Sequence, residues 1–217
     1  MLVAGVDEAG RGCVIGPLIV AGVMMEEDRV ESLKLLGVRD SKLLSPKKRE
    51  RLRWEIEAVA SSCAYFEIPP HAIDRVVEGG VKLRRLNYLE ALAMARVIDE
   101  LRPDLVYVDS SDVDTSRLAQ QILRVMRWKP QIFCEHNADK VHPIVSAASI
   151  LAKVRRDRII EELRRSHGDF GSGYPSDKKT IEFLKKTLLE GGELPHFIRR
   201  SWKTVKRLLM HPKLAME

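Results

Sequence analysis

Several things are scarce in this sequence. Its 217 residues include three cysteines, Cys13, Cys63 and Cys134, an odd number set far apart and without metal-ligand spacing. They are expected to be small core residues of a protein kept in a reducing compartment. Aromatic residues make up 6% of the chain, and Trp54, Trp128 and Trp202 stand isolated, which suits packing better than a row of base-stacking platforms. The most apolar run, Val14 to Met25, contains Gly16 and Pro17 and is shorter than the roughly 20 residues a bilayer-spanning helix needs. No charged leader with an apolar core and a cleavage site opens the chain, so a cytoplasmic location is expected. Asparagine and glutamine number two and three, a scarcity of thermolabile amides that points to a heat-adapted source.

Charge is what the chain has in quantity. Charged residues are 31% of the total, the formal net charge is +6 and the pI is near 9.3. That balance favours an acidic partner, most simply nucleic acid. A hydrophobic content of 45% over 217 residues supports one substantial core with an appendage. The basic excess is steepest at the end: Arg199, Arg200, Lys203, Lys206, Arg207 and Lys213 face the single acid Glu217 between Pro195 and Glu217. Such a run is expected to track a phosphate backbone.

The opening dozen residues, MLVAGVDEAGRG, organise the rest. Leu2 to Val6 reads as a buried strand ending in Asp7 and Glu8, followed at once by Gly10-Arg11-Gly12. Adjacent carboxylates at the end of a buried strand repel each other and are costly to desolvate. A hard divalent cation such as Mg²⁺, which takes oxygen ligands, removes both problems. Side chains alternate along a strand, so both acids serve one site only if the backbone bends after Asp7, as Gly10 and Gly12 allow. A dinucleotide-binding loop is rejected: Gly10, Gly12 and Gly16 have the wrong spacing, the acids would oppose a pyrophosphate, and no helix follows.

Downstream, Cys13 to Met25 is expected to pair with the first strand as an antiparallel hairpin. Ser45-Pro46 marks a helix start, with Leu52, Ile56 and Val59 on one face and Lys47, Lys48, Arg49 and Arg51 on a solvated one. Before it, Lys42 in the Asp40-Ser41-Lys42 turn is placed to reach a phosphate. A third strand spans Cys63 to Ile68, stopped by Pro69-Pro70, then a helical turn at Ile73 to Val77 and a helix at Leu83 to Leu101. A fourth strand, Asp104 to Asp109, repeats the opening pattern of an apolar run ending in an acid. A helix over Thr115 to Arg127, a strand over Gln131 to Glu135 and a long helix over Pro143 to Ser166 complete the order, with Asp139 just before that helix. Ser146 to Ser149 at its opening are small residues that permit close approach. Three strands without long crossovers and then two strand–helix units predict a mixed sheet with helices on its faces. The carboxyl ends of strands one and four then meet where connections diverge, bringing Asp7 and Asp109 together, with Glu8 and Asp139 completing a ring of four acids. His136 and His142 lie nearby but are nitrogen donors, and are assigned outside the metal shell.

Five segments, GVDEAGRGCVIGPLIVAG, DSKLLSPKKR, YVDSSDV, EHNADKVHPIVSAASILAKV and GDFGSGYPSD, resemble type 2 ribonuclease H in its archaeal form, in the family's order over most of the chain. The resemblance implies an α/β fold, a ribonuclease H-like mixed five-stranded sheet flanked by helices with a C-terminal helical extension. It implies a catalytic domain over 1–175 and a substrate-binding helical extension over 176–217 packed on it. It carries the family's four catalytic, metal-holding carboxylates onto Asp7, Glu8, Asp109 and Asp139. Gly10, Arg11 and Gly12 match the loop that recognises the ribose at an RNA–DNA junction, and Tyr174 matches the tyrosine that packs on the following ribose. Lys42, Arg199 and Lys203 are added as substrate-binding residues. Type 3 relatives carry an extra amino-terminal domain, which is not expected here because the sequence opens on its first strand.

The implied activity is endonucleolytic: hydrolysis of the RNA strand of RNA–DNA hybrids and of duplex DNA 5′ to embedded ribonucleotides. Two Mg²⁺ or Mn²⁺ ions held by four carboxylates suit phosphodiester hydrolysis, and exposed peptide groups at a glycine turn suit recognition of the 2′-OH. A monomer without membrane contact is expected; a sliding clamp is a further partner to which no residues of the chain point. Two other classes stay open: a junction resolvase on the same fold, needing a dimer and branched DNA, and a non-catalytic nucleic-acid-binding module, needing no converging acids.

Overall fold

The computed structural model describes residues 1–38, 44–79, 84–190 and 193–210, so Lys42 lies outside the described residues. In chain order come β1 (Leu2–Ala9), β2 (Leu18–Glu26), α1 (Ser32–Leu35), α2 (Pro46–Val59), β3 (Ser62–Ile68), α3 (Pro70–Glu78) and α4 (Arg84–Leu101). Then follow β4 (Leu105–Asp109), α5 (Thr115–Val125), β5 (Gln131–Glu135), α6 (Ala138–Val141), α7 (Pro143–His167), α8 (Lys178–Leu189) and α9 (Lys203–Met210). The start predicted from capping chemistry is observed: the Ser45 side chain accepts from the Lys48 amide, with Pro46 in the first turn of α2.

The described residues form two compact units. The first comprises Met1–Ala9, Ile19–Glu67 and Leu86–Arg155. It holds the five-stranded sheet in the order β3-β2-β1-β4-β5, with β1 antiparallel to β2 and parallel to β4, and β4 parallel to β5. This is the mixed sheet expected from the element order. Two glycines let helices close on its two faces. A Cβ on Gly5 would stand 2.5 Å from the Val145 amide nitrogen, so α7 crosses β1 there backbone to backbone. A Cβ on Gly22, which pairs with Val6 and shares its face, would meet Val97 of α4 at 2.6 Å. Val6, Val20, Val106 and Val108 are buried between these layers.

Two expectations need correcting. The first strand does not stop at Val6: β1 runs on through both carboxylates, paired with β2 as far as Ala9↔Ile19, because the antiparallel ladder satisfies its backbone there. The second strand begins at Leu18 and not near Cys13, since residues 13–16 spend their backbone groups elsewhere: Val14 and Ile15 amides donate to the Gly173 carbonyl, and the Gly16 amide donates to Phe197.

Those segments belong to the second unit, built from the described residues of Gly10–Leu18, Ile68–Arg85 and Arg156–Glu217. Its core joins Val14 and Ile15 to Phe170, Leu184, Phe197, Ile198, Val205 and Leu208. The Phe170 ring centroid lies 5.4 Å from that of Phe183 and 5.9 Å from that of Phe197. Residues from 176 onward fall within this unit, together with the turn at Gly10 and helix α3.

Candidate active site

The sheet register brings the first two acids together. Val6 of β1 pairs with Val108 of β4 in parallel register, so Asp7 and Asp109, one step further, stand side by side at the carboxyl ends of neighbouring strands. Asp7 shares the face of Gly5, over which α7 lies, and Ser149 of α7 reaches its carboxylate. Asp139 arrives from the connection after β5. Asn137 adopts a left-handed conformation (φ 57°), which asparagine tolerates, and the chain turns into α6 with Asp139 in its first turn. Asp7 and Asp139 are both buried.

Electrostatics shows what this proximity costs. Burial, then the like charge of Asp109, and more weakly that of Asp139, push the Asp7 carboxyl up to about 7. Hydrogen bonds from Ser149 and from the Glu8 amide, 2.7 Å from Asp7 Oδ1, pull the other way without prevailing. Three acids that repel one another in a desolvated place fit hard divalent ions, which supply the missing positive charge and accept oxygen donors. Among the described residues no three acidic, histidine or cysteine side chains are drawn close enough to enclose an ion. Glu8, half-buried, follows Asp7 on β1.

The neighbouring histidines have structural occupations. His142 Nε2 lies 2.9 Å from Glu135 and its ring stacks on Tyr107 at 4.0 Å, while His136 Nδ1 meets the Ser110 carbonyl at 3.2 Å. The loop after Asp109 is held by Asp112, buried, which accepts from Asn87 of α4 at 2.8 Å and pairs with Arg117 of α5. Nothing in the sequence spacing singled out Ser149 as a partner of Asp7, because it is recruited from α7, remote in the chain.

The second unit gathers the other predicted residues. Gly10 is buried with φ 88°, and a Cβ there would strike the Pro17 carbonyl oxygen at 2.7 Å. Gly12 is different: it is exposed, its φ is not left-handed, and a Cβ would meet nothing within 4 Å. Tyr174 is half-buried beside Cys13, and burial pushes its hydroxyl up to about 12. Arg156, buried, donates to the Ser172 carbonyl at 2.8 Å and lies 4.9 Å above the Tyr174 ring. Lys203 is exposed at the start of α9. Arg199 departs from expectation: it is fully buried, and its donors are spent on the carbonyls of Gly10, Arg11 and Gly16.

Comparison with known proteins agrees with this arrangement. A family model described as Ribonuclease HII matches residues 4–205. The chain is 45% identical to the Ribonuclease HII of Methanosarcina mazei, covering 96% of this chain and 97% of that one. The ribonuclease H2 structure from Pyrococcus horikoshii superposes with a TM-score of 0.89 at 40% identity, over 98% of this chain and 99% of that one. The structure of the PCNA:RNase HII complex from Archaeoglobus fulgidus gives 0.84 at 42%, covering 95% and 96%. With the mixed sheet, the acid cluster and this match over nearly the whole length, the chain belongs to the ribonuclease HII family, metal-dependent hydrolases that cleave the RNA of RNA–DNA hybrids.

Proposed function

We propose that this protein cuts on the 5′ side of ribonucleotides, within hybrids and singly embedded in duplex DNA, leaving 3′-hydroxyl and 5′-phosphate ends. The observation that carries the reading is the buried Asp7 carboxyl, beside Asp109 at the end of the neighbouring parallel strand and with Asp139 brought near it. Asp7, Glu8, Asp109 and Asp139 would hold two Mg²⁺ or Mn²⁺ ions. When bound, such ions lower the pKa of a water and neutralise charge on the leaving oxygen. The protein's own part is to bring acids from β1, β4 and the start of α6 together, with Ser149 orienting Asp7. All four come from one chain, in keeping with a monomer.

Ribose recognition falls to the turn that begins two residues after Glu8. Gly12 supports this, since neither its backbone conformation nor its surroundings require a glycine. A bare peptide there lets a 2′-OH approach N–H and C=O groups closely. Tyr174 presents a ring for the sugar that follows, so it favours a deoxyribose after the ribonucleotide. Lys203 meets phosphate from the exposed side of α9, and Lys42 is retained as a second phosphate contact. In this scheme residues 1–175 carry the chemistry and 176–217 extend the hold on the duplex. A role in removing ribonucleotides from DNA follows from the product ends, in the cytoplasm. The A. fulgidus relative in complex with PCNA supports a sliding clamp as a partner.

End-labelled duplexes containing one ribonucleotide, incubated with Mg²⁺ and sized on gels, test the assignment. A cut 5′ to the ribonucleotide with a 3′-hydroxyl end is expected, and Tyr174→Ala should slow this substrate more than a long hybrid. A cyclic phosphate, a 3′-side cut, or an intact duplex would defeat it.

A further inference from the structure

Arg199 is an interior residue with a highly directional set of bonds. Its Nε donates to the Gly16 carbonyl at 3.0 Å, Nη1 to Arg11 at 2.9 Å and Nη2 to Gly10 at 2.7 Å. The rigid guanidinium fork thus fixes the peptide planes entering and leaving the turn. Its other side lies 4.8 Å above the Trp202 ring, and Trp202 Nε1 reaches the Gly12 carbonyl at 3.4 Å. Carbonyls of all three residues of the Gly10-Arg11-Gly12 turn are therefore held by one short segment, 199–202. That segment is itself anchored: the buried Asp74 carboxylate of α3 accepts from the Arg200 amide at 2.9 Å, the Ser201 amide at 3.0 Å and the Ser201 hydroxyl at 2.6 Å.

A guanidinium taken wholly out of water is costly unless its hydrogen bonds offset the lost hydration. A hydrophobic side chain would fill the same space without that cost. What the arginine adds is a fixed orientation of three carbonyls, and so of the peptide groups between them. We infer that Arg199 is a positioning residue for ribose discrimination: seated on Trp202 and anchored through Asp74, it holds the glycine turn in the conformation that tells ribose from deoxyribose. This rests on the reading of the turn given above. It replaces the expected contact of Arg199 with phosphate by one made inside the protein, so the residue sets selectivity and not charge-driven affinity.

The test measures dissociation constants of the full chain, in Ca²⁺ to suppress cleavage, for a DNA duplex with one ribonucleotide and for the all-DNA duplex. Arg199→Lys keeps the charge but cannot bridge three carbonyls; the preference for the ribonucleotide should fall about tenfold, while the salt dependence of all-DNA binding stays as in the parent. Trp202→Phe, which removes only the bond to Gly12, should lower the preference by a smaller factor, and it serves if Arg199→Lys does not fold. Gly12→Ala separates the two ideas. If it abolishes the preference while Arg199→Lys and Trp202→Phe leave it intact, the positioning role is overturned and ribose reading stands. If Gly12→Ala also leaves the preference intact, ribose reading itself fails. A flatter salt dependence for Arg199→Lys would return the residue to the phosphate backbone and overturn the inference.

Discussion

Asp7 concentrates the electrostatic cost of the site in one carboxyl. Unfolded, it releases its proton near 3.8; folded, it keeps it to about 7, chiefly through burial and then the charge of Asp109. Between these values the folded chain binds the extra proton, so stability falls as pH rises through the window, and the full cost is present above about 7. Thermal melts in chelator should therefore drop in midpoint from pH 5 to 8, and millimolar Mg²⁺ should recover the loss at the alkaline end. Asp7→Asn should flatten the dependence; an unchanged pH slope in that variant would place the titration elsewhere. Asp109→Asn keeps shape and removes a charge. Its turnover should fall by more than the roughly 10–100-fold that changes around metal ligands already cost, with hybrid binding retained in a gel-shift assay. Near-normal turnover would remove the site as drawn.

At the scale of elements, the site depends on how closely α7 can lie on β1. Gly5 is the contact point, with the Val145 amide 2.5 Å from where a Cβ would stand. Gly5→Ala must lift the start of α7 from the sheet, and overpacking of this kind costs about 1–3 kcal/mol. Because Ser149 sits on the same helix and bonds Asp7, activity should fall as well. Denaturant melts alongside hydrolysis rates check both; lost stability with full activity would mean that α7 can shift without disturbing the acids. The small residues after Pro143 announced a close approach, but which strand they approach was not written in them.

For the whole molecule, charge and core are interleaved in the last third of the chain. Phe197, Ile198, Val205 and Leu208 belong to the core of the second unit, while Lys203 and Arg207 are exposed on the same stretch. Truncation from Pro195 would therefore remove packing along with charge. Lys203→Gln and Arg207→Gln isolate the electrostatic part, since Lys206 already pairs with Glu78 at 3.5 Å. If both meet phosphate, the slope of log K against log salt should shrink by about 0.9 for each. Affinity lost at constant slope would show a role other than phosphate contact.

How much the sequence alone determined follows from the range of the forces involved. Hydrophobic periodicity, proline and capping residues act locally, and they placed the strand over Gln131–Glu135 and the start of α2 at Ser45-Pro46 as the structure has them. The acids at the ends of two apolar runs were legible because a desolvated carboxylate has few reasons to be there. The continuation of β1 through Glu8 was not, since it depends on a partner strand satisfying its backbone. The role of Arg199 was hidden for a related reason. In the sequence it is one cation in a basic run; only the fold carries its guanidinium to carbonyls more than 180 residues away. Charge can be counted along a chain, but burial, which decides whether that charge meets a phosphate or a peptide carbonyl, belongs to the tertiary structure.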